Sequence, residues 1–397
     1  PPRQPSPQVA SPFAPPIVAA PGAGGTGDPS QAFGSFQEHN SASGSEISLE
    51  QIVRLAFDKN FSDIHLGVGE EPRFRERGDM VRSGWPVTDP ITFRDWLREL
   101  LTPAMVDSFL REQEFDGSQD FGFVRVRVNL LEALNGPAMV LRLIPRQIAT
   151  IEDLGLPEVL KDLVSRPKGM LLVTGPTGSG KSTTLAALID HINMTMKRHI
   201  ITIEDPIEFV YESKESLIRQ REVRQHTKHF KTALRASLRE DPDVILIGEI
   251  RDQETLSTAI EASQTGHLML GTLHTNSAVR TVERVLGMYP SQEQDGIRRS
   301  ISETLLGVIS QGLVKTNDGK RCAFHDVFIN TDACRDYIMR GDLDEIEEIM
   351  GRSGFDGMVT TNQSLLKLVE SGRVSAEDAI GHSLRPNELA QALRGRF

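Results

Sequence analysis

Between Gly175 and Thr183 the chain reads Gly-Pro-Thr-Gly-Ser-Gly-Lys-Ser-Thr. Gly175, Pro176, Thr177, Gly178, Ser179, Gly180, Lys181 and Ser182 satisfy G-x-x-x-x-G-K-[ST] at every fixed position, and Thr183 follows. Glycines let successive backbone N–H groups turn inward onto phosphate oxygens. A helix N-terminus beneath the loop adds a favourable dipole, Lys181 a point charge and Ser182 a hydroxyl for Mg²⁺. The apolar run Met170–Val173 before the loop has the character of a buried parallel strand, and residues 184–191 behind it suit a helix. Strand, loop and helix in that order predict a nucleoside triphosphate site.

Carboxylates and imidazoles follow three further apolar runs. Glu204-Asp205-Pro206-Ile207-Glu208 comes after 200–203, and Gly248-Glu249-Ile250-Arg251-Asp252 after 244–247. His267 and His274 flank the run 268–273, with Thr272 and Thr275 alongside. Around a triphosphate such groups can hold Mg²⁺, activate a water molecule or sense the γ-phosphate. Glu204 and Asp205 also suit turn or capping acids, His267 a helix cap behind Gly266, and His274 a hydrogen-bonded core histidine. A charge inside a parallel sheet is costly, so Glu249 belongs at a strand end.

These groups need a scaffold that brings loop ends together. From Ile151 onward apolar runs alternate with helical stretches, notably 232–238 and 255–265, which predicts a mostly parallel, doubly wound α/β sheet. Ligands of such sheets bind beyond the carboxyl ends of the strands. Residues 46–150 read as a smaller α+β domain. Ser48 and Gln51 form a capping box, helices are expected over 95–101 and 103–110, and strands over 62–66, 123–128 and 139–144. Arg125 and Arg127, with Arg142 nearby, form a basic strand face. It reads either as solvated surface or as arginines that reach a neighbouring subunit's phosphates. Residues 1–45, rich in Pro, Gly, Ser and Ala, are expected to be a disordered tail.

A length of 397 residues suits two domains, each with its own core. The formal charge of −11 argues against a general nucleic-acid binder. Two cysteines, Cys322 and Cys334, match neither a zinc site nor a disulfide framework. No apolar run reaches a membrane-spanning length and no signal pattern opens the chain, so a cytoplasmic location is expected.

Four motifs, taken together, resemble one family. Residues 175–184, Thr-Ile-Glu-Asp-Pro-Ile-Glu at 202–208, Asp-Pro-Asp-Val-Ile-Leu-Ile-Gly-Glu-Ile-Arg-Asp at 241–252 and Thr-Gly-His-Leu-Met-Leu-Gly-Thr-Leu-His-Thr-Asn at 265–276 match, in order, the phosphate loop, Asp box, atypical Walker B and His box of the secretion ATPase superfamily. Residues 46 to 397 are most similar to its PilT-type pilus retraction ATPases. The resemblance implies a RecA-like P-loop core at 151–397, a PAS-like domain at 46–150, a homo-hexameric ring, and ATP and Mg²⁺ as ligands. It implies that Lys181 and Ser182 hold phosphates and Mg²⁺, that Glu249 polarises the attacking water, and that Glu208 supports metal or water. His267 and His274 would contact the γ-phosphate, while Arg127 and Arg142 would complete the site across a domain or subunit boundary. Implied partners are the pilus inner-membrane platform protein and a paralogous retraction ATPase, at the cytoplasmic face of the inner membrane. The tetracysteine zinc site of assembly motors has no counterpart here, which favours retraction. The stretch Ala333–Arg340 keeps only the Ala, the first Arg and the second Ile of the retraction family's helix Ala-Ile-Arg-Asn-Leu-Ile-Arg-Glu. That departure leaves room for an accessory, PilU-like paralogue or a low-turnover nucleotide-binding regulator.

Overall fold

A computed structural model of the protein describes residues 47–76, 78–144 and 147–395. The tail expected over 1–45 lies outside the described residues. Ser48 caps α1 (Leu49–Asp58) as its sequence requires: its hydroxyl accepts from the Gln51 N–H, and the Gln51 side chain accepts from the Ser48 N–H. There follow β1 (Asp63–Gly67), β2 (Arg73–Glu76), β3 (Asp79–Arg82), α2 (Pro90–Leu100), α3 (Pro103–Glu112), β4 (Glu114–Asp120), β5 (Arg125–Ala133) and β6 (Gly136–Ile144). Helix α2 begins five residues before the expected start, because the Asp89 carboxylate accepts from the N–H groups of Ile91 and Thr92 and Pro90 suits the first helical position. The strands form an antiparallel sheet in the order β3-β2-β1-β6-β5-β4. Alternation sorts its faces. Val126, Val128, Leu141, Ile64 and Leu66 turn inward onto Ile52, Val53, Phe93 and Trp96 of α1 and α2. Arg125, Arg127 and Arg142 occupy the opposite face.

The second half contains α4 (Val159–Ser165), β7 (Gly169–Thr174), α5 (Lys181–Thr195), β8 (His199–Glu204), β9 (Leu217–Glu222), α6 (Phe230–Ser237), β10 (Val244–Ile247), α7 (Gln253–Gln264), β11 (Leu268–Leu273), α8 (Ala278–Gly287), α9 (Gln294–Thr304), β12 (Leu305–Lys315) and β13 (Arg321–Ile329). All four expected strands are present. The sheet order is β13-β12-β7-β11-β10-β8-β9, parallel throughout except for β13 at one edge. Strands β7, β10 and β11 are buried along their whole length. That explains continuous apolar runs rather than alternation, since each fully buried Leu or Ile contributes about 1.5–3 kcal/mol.

Five helices close the chain: α10 (Asp332–Arg340), α11 (Leu343–Arg352), α12 (Thr361–Glu370), α13 (Ala376–His382) and α14 (Pro386–Arg394). The altered stretch at 333–340 still folds as a helix. Thr331 caps it, and Cys334 and Ile338 are buried. Leu365, Val374, Ala379, Leu389 and Leu393 form a satellite core with Val314 of β12 and Cys322 of β13. Both cysteines are buried and free. Among the described residues, no helix is long and apolar enough to cross a membrane.

Candidate nucleotide site

The phosphate loop leaves β7 at Thr174 and enters α5 at Lys181. Gly175, at φ +143°, and Gly180, at φ +89°, hold backbone conformations that L side chains rarely adopt. Pro176, Thr177 and Gly178 are exposed, Ser182 and Thr183 are half-buried, and Ser179 is buried with a hydroxyl that has no partner. No side chain caps α5, so its first-turn N–H groups are available to an anion. Lys181 folds back over the loop, its Nζ donating to the carbonyls of Gly175 at 2.9 Å and Pro176 at 3.0 Å. Desolvation lowers the Lys181 pKa, against the upward pull of the Glu249 and Glu208 carboxylates. Those charges converge on the lysine although they arrive from different strands.

Glu249 sits two residues beyond β10, in a loop stitched to β11. The Ile250 N–H donates to the Thr272 carbonyl at 2.9 Å, and the Thr272 hydroxyl to the Gly248 carbonyl at 2.5 Å. Its Oε2 accepts from Arg251 at 2.6 Å, and its Oε1 lies 3.0 Å from His274 Nε2. Arg251 above all, then His274, hold this carboxyl below the usual glutamate range. Glu208, half-buried, sits four residues beyond the end of β8. Arg127 donates to both Asp116 oxygens, at 3.2 and 2.8 Å. That pairing raises the Arg127 pKa, with smaller contributions from Glu208 and Asp205. The basic face of the N-terminal sheet therefore looks onto the loop after β8. Arg142 pairs with Arg127 in register but turns its Nε to Asp63, at 2.8 Å.

Residues 117–394 match the family described as Type II/IV secretion system protein. The chain belongs to that family. It is 42% identical over 334 residues to the type IV pilus retractation ATPase PilT of Pseudomonas aeruginosa, covering 84% of this chain and 97% of that protein. It is 44% identical over 314 residues to a twitching motility protein of Neisseria gonorrhoeae, covering 78% and 83%. Its fold matches the crystal structure of the pilus retraction motor PilT with bound ADP at a TM-score of 0.81 and 39% identity, covering 87% of this chain and all of the other. The expected membership of the secretion ATPase superfamily, and the ATP-binding α/β core that comes with it, are shown.

In this secretion-family core one expected site residue stands apart. His267 precedes β11, at the end of the strand where Gly169 opens the neighbouring β7. Its ring Nδ1 lies 3.1 Å from the Ala262 carbonyl, and its N–H donates to the same oxygen. The six residues of β11 separate it from His274, roughly 20 Å. Strand length thus carries His267 to the opposite end of the strands from the phosphate loop, and the cap reading describes it. His274 is the member of the pair that meets the other site residues.

Gln311 of β12 is a residue that the motifs do not reveal. Its amide Nε2 donates to the Ser179 carbonyl at 2.7 Å, and its Oε1 accepts from the Thr184 hydroxyl at 2.5 Å. It braces the loop from the adjacent strand, more than 120 residues away in sequence.

Glu204 adds a titration. Desolvation pushes its carboxyl up to about 7, against the Thr202 hydroxyl at 2.5 Å and the Gln220 amide at 3.3 Å. Between the ordinary 4.5 and about 7 the folded chain holds a proton that the unfolded chain has released. Stability therefore falls as pH rises through that window, by at most about 3 kcal/mol. Glu204→Gln should remove this slope, read as the difference between variant and wild-type denaturation midpoints at about pH 5 and about pH 7.5. A difference that does not change with pH would refute the assignment.

Among the described residues no group of three or more His, Cys, Asp or Glu side chains gathers to hold a metal. Mg²⁺ at a triphosphate takes most of its ligands from phosphate and water, with one or two protein oxygens. The Ser182 hydroxyl and the Glu208 carboxylate are hard oxygens of that type.

Proposed function

We propose that this chain is the ATP-hydrolysing motor of type IV pilus retraction, working as a homo-hexamer at the cytoplasmic face of the inner membrane. The observation that carries the reading is the meeting of Lys181, Glu208, Glu249 and His274 at one end of the parallel sheet, in a chain that spans nearly the whole of the PilT retraction ATPase at 42% identity. Residues 46–150 and 151–397 act as two domains that close around the nucleotide.

Backbone N–H groups from Thr177 to Ser182 hold the phosphates, with Lys181 exchanging its two carbonyl partners for phosphate oxygens. Ser182 and Glu208 would hold Mg²⁺, which would supply neutralisation of charge on the phosphate oxygens. Glu249 orients a water for in-line attack on the γ-phosphorus and takes its proton as the bond to the β,γ-bridging oxygen breaks, giving ADP and phosphate. His274 holds the second face of that carboxylate. Arg127, and Arg142 from the same sheet face, offset the charge that develops on the γ-phosphoryl group. Closure of the N-terminal sheet on the core turns each hydrolysis into displacement of the pilus platform protein. A paralogous retraction ATPase joins the same base.

The test is complementation. Expressed in a Pseudomonas aeruginosa strain that lacks PilT, the chain should restore pilus retraction and twitching zones, and Lys181→Ala should not. Steady ATP turnover by the purified ring without any rescue would assign the motor to a different secretion machine.

A further inference from the structure

The Glu222 carboxylate sits where the N-terminal sheet meets the loop that carries Glu208. Glu222 ends β9 and is 2% exposed. Its Oε2 accepts from the Ile207 N–H at 3.0 Å, and Ile207 is the residue before Glu208. The same oxygen lies 3.4 Å from the Ser118 hydroxyl of β4 and 3.8 Å from Arg125 Nη2 of β5. Arg125 donates to Ser118 Oγ at 2.5 Å, and its Nε is buried with no partner. Arg125 and Glu208 both line a cavity of about 430 Å³, together with Asp190 and Lys214.

A carboxylate removed from water is tolerated only where charge and hydrogen bonds compensate it. Here the compensation comes from both sides of the junction: an N–H of the 205–208 loop and a guanidinium of the N-terminal sheet. Arg125 and its partner Ser118 both belong to the N-terminal sheet, and Arg125 stands 3.8 Å from Glu222 at the wall of the cavity that Glu208 also lines. Moving the N-terminal sheet therefore changes the charge balance of the oxygen that anchors Ile207.

We propose that Glu222 is a positioning residue that couples the N-terminal sheet, through Arg125, to the placement of Glu208. The inference rests on the nucleotide-hydrolysis reading above and adds how domain position reaches the site. It calls for Arg125→Gln, Glu222→Gln and the double variant in the full chain. Glutamine at 222 keeps an oxygen for the Ile207 N–H, and Arg125 lies at the cavity wall, so both variants should fold.

Each single variant should lower kcat about ten-fold with the KM for ATP within about two-fold, and the double variant should fall no further, since one contact is lost in all three. Arg125→Lys should recover most of the rate. In the nucleotide-free chain, hydrogen exchange at Ile207 should quicken about ten-fold in Arg125→Gln, although Arg125 does not touch that amide. Unchanged exchange at Ile207, or a double variant about a hundred-fold down, would overturn the coupling. A wild type that binds ATP without turnover would instead overturn the hydrolysis reading, and the exchange result would still decide the coupling.

Discussion

Glu249→Gln is expected to lower ATP turnover by about 10²–10⁴-fold while nucleotide affinity stays within about three-fold of wild type. Glutamine keeps the shape of the side chain and one oxygen for Arg251, so the loop between β10 and β11 retains its backbone ties to Thr272. What it loses is the ability to accept a proton from water. The phosphate loop is untouched, because Lys181 takes its bonds from Gly175 and Pro176. The pH profile adds a second readout. Arg251 and His274 hold the Glu249 carboxyl below its ordinary 4.5, so the stabilisation they give is complete above that value and is lost as pH falls through the lower, folded one. The acid limb of wild-type turnover should therefore lie below the usual carboxylate range, and Arg251→Ala should move it upward. Phosphate release and binding of a fluorescent nucleotide measure the two quantities separately. Turnover within ten-fold of wild type in Glu249→Gln would take the proton-accepting role away from this residue.

The parts of this site that are legible in the sequence are those whose geometry is local. A loop of three glycines before Lys-Ser carries its signature within its own nine residues, and strands buried on both faces announce themselves as unbroken apolar runs. Features set by distant partners are silent. β12 and β13 escape the apolar-run reading because Gly307, Ser310 and Gly312 interrupt β12. Both glycines are required by packing: a Cβ at 307 would meet the Phe328 carbonyl at 2.5 Å, and one at 312 the Phe324 ring at 2.2 Å. With β12 unread, the Gln311 brace is unread as well. His267 and His274 show the converse. Both belong to one sequence motif, yet the six-residue strand between them places them at opposite ends of β11, a separation that strand rise alone predicts. Glu222 carries no motif signal, since its role depends on a strand of the N-terminal sheet about a hundred residues earlier in the chain.

Gly175→Ala should destabilise the chain by about 3–5 kcal/mol, lowering Tm by about 5–15 °C, whereas Gly178→Ala, further along the same loop, should cost about 1 kcal/mol. Both positions have positive φ, +143° and +78°, so an alanine is strained at either. The difference is space. A Cβ at 175 would lie 2.2 Å from the Gln311 carbonyl oxygen and 2.5 Å from Ser179 Oγ, while one at 178 meets nothing within 4 Å. The obstructing oxygen belongs to the backbone of β12, one residue beyond the Ser310–Thr174 pair with β7, so relief requires parting two core strands. Calorimetry on both variants tests this directly. Equal melting temperatures would mean that β12 does not hold the loop. A large gap would show that the loop's shape is imposed by its neighbour strand before nucleotide arrives, so that its N–H groups need little reorganisation to receive phosphate.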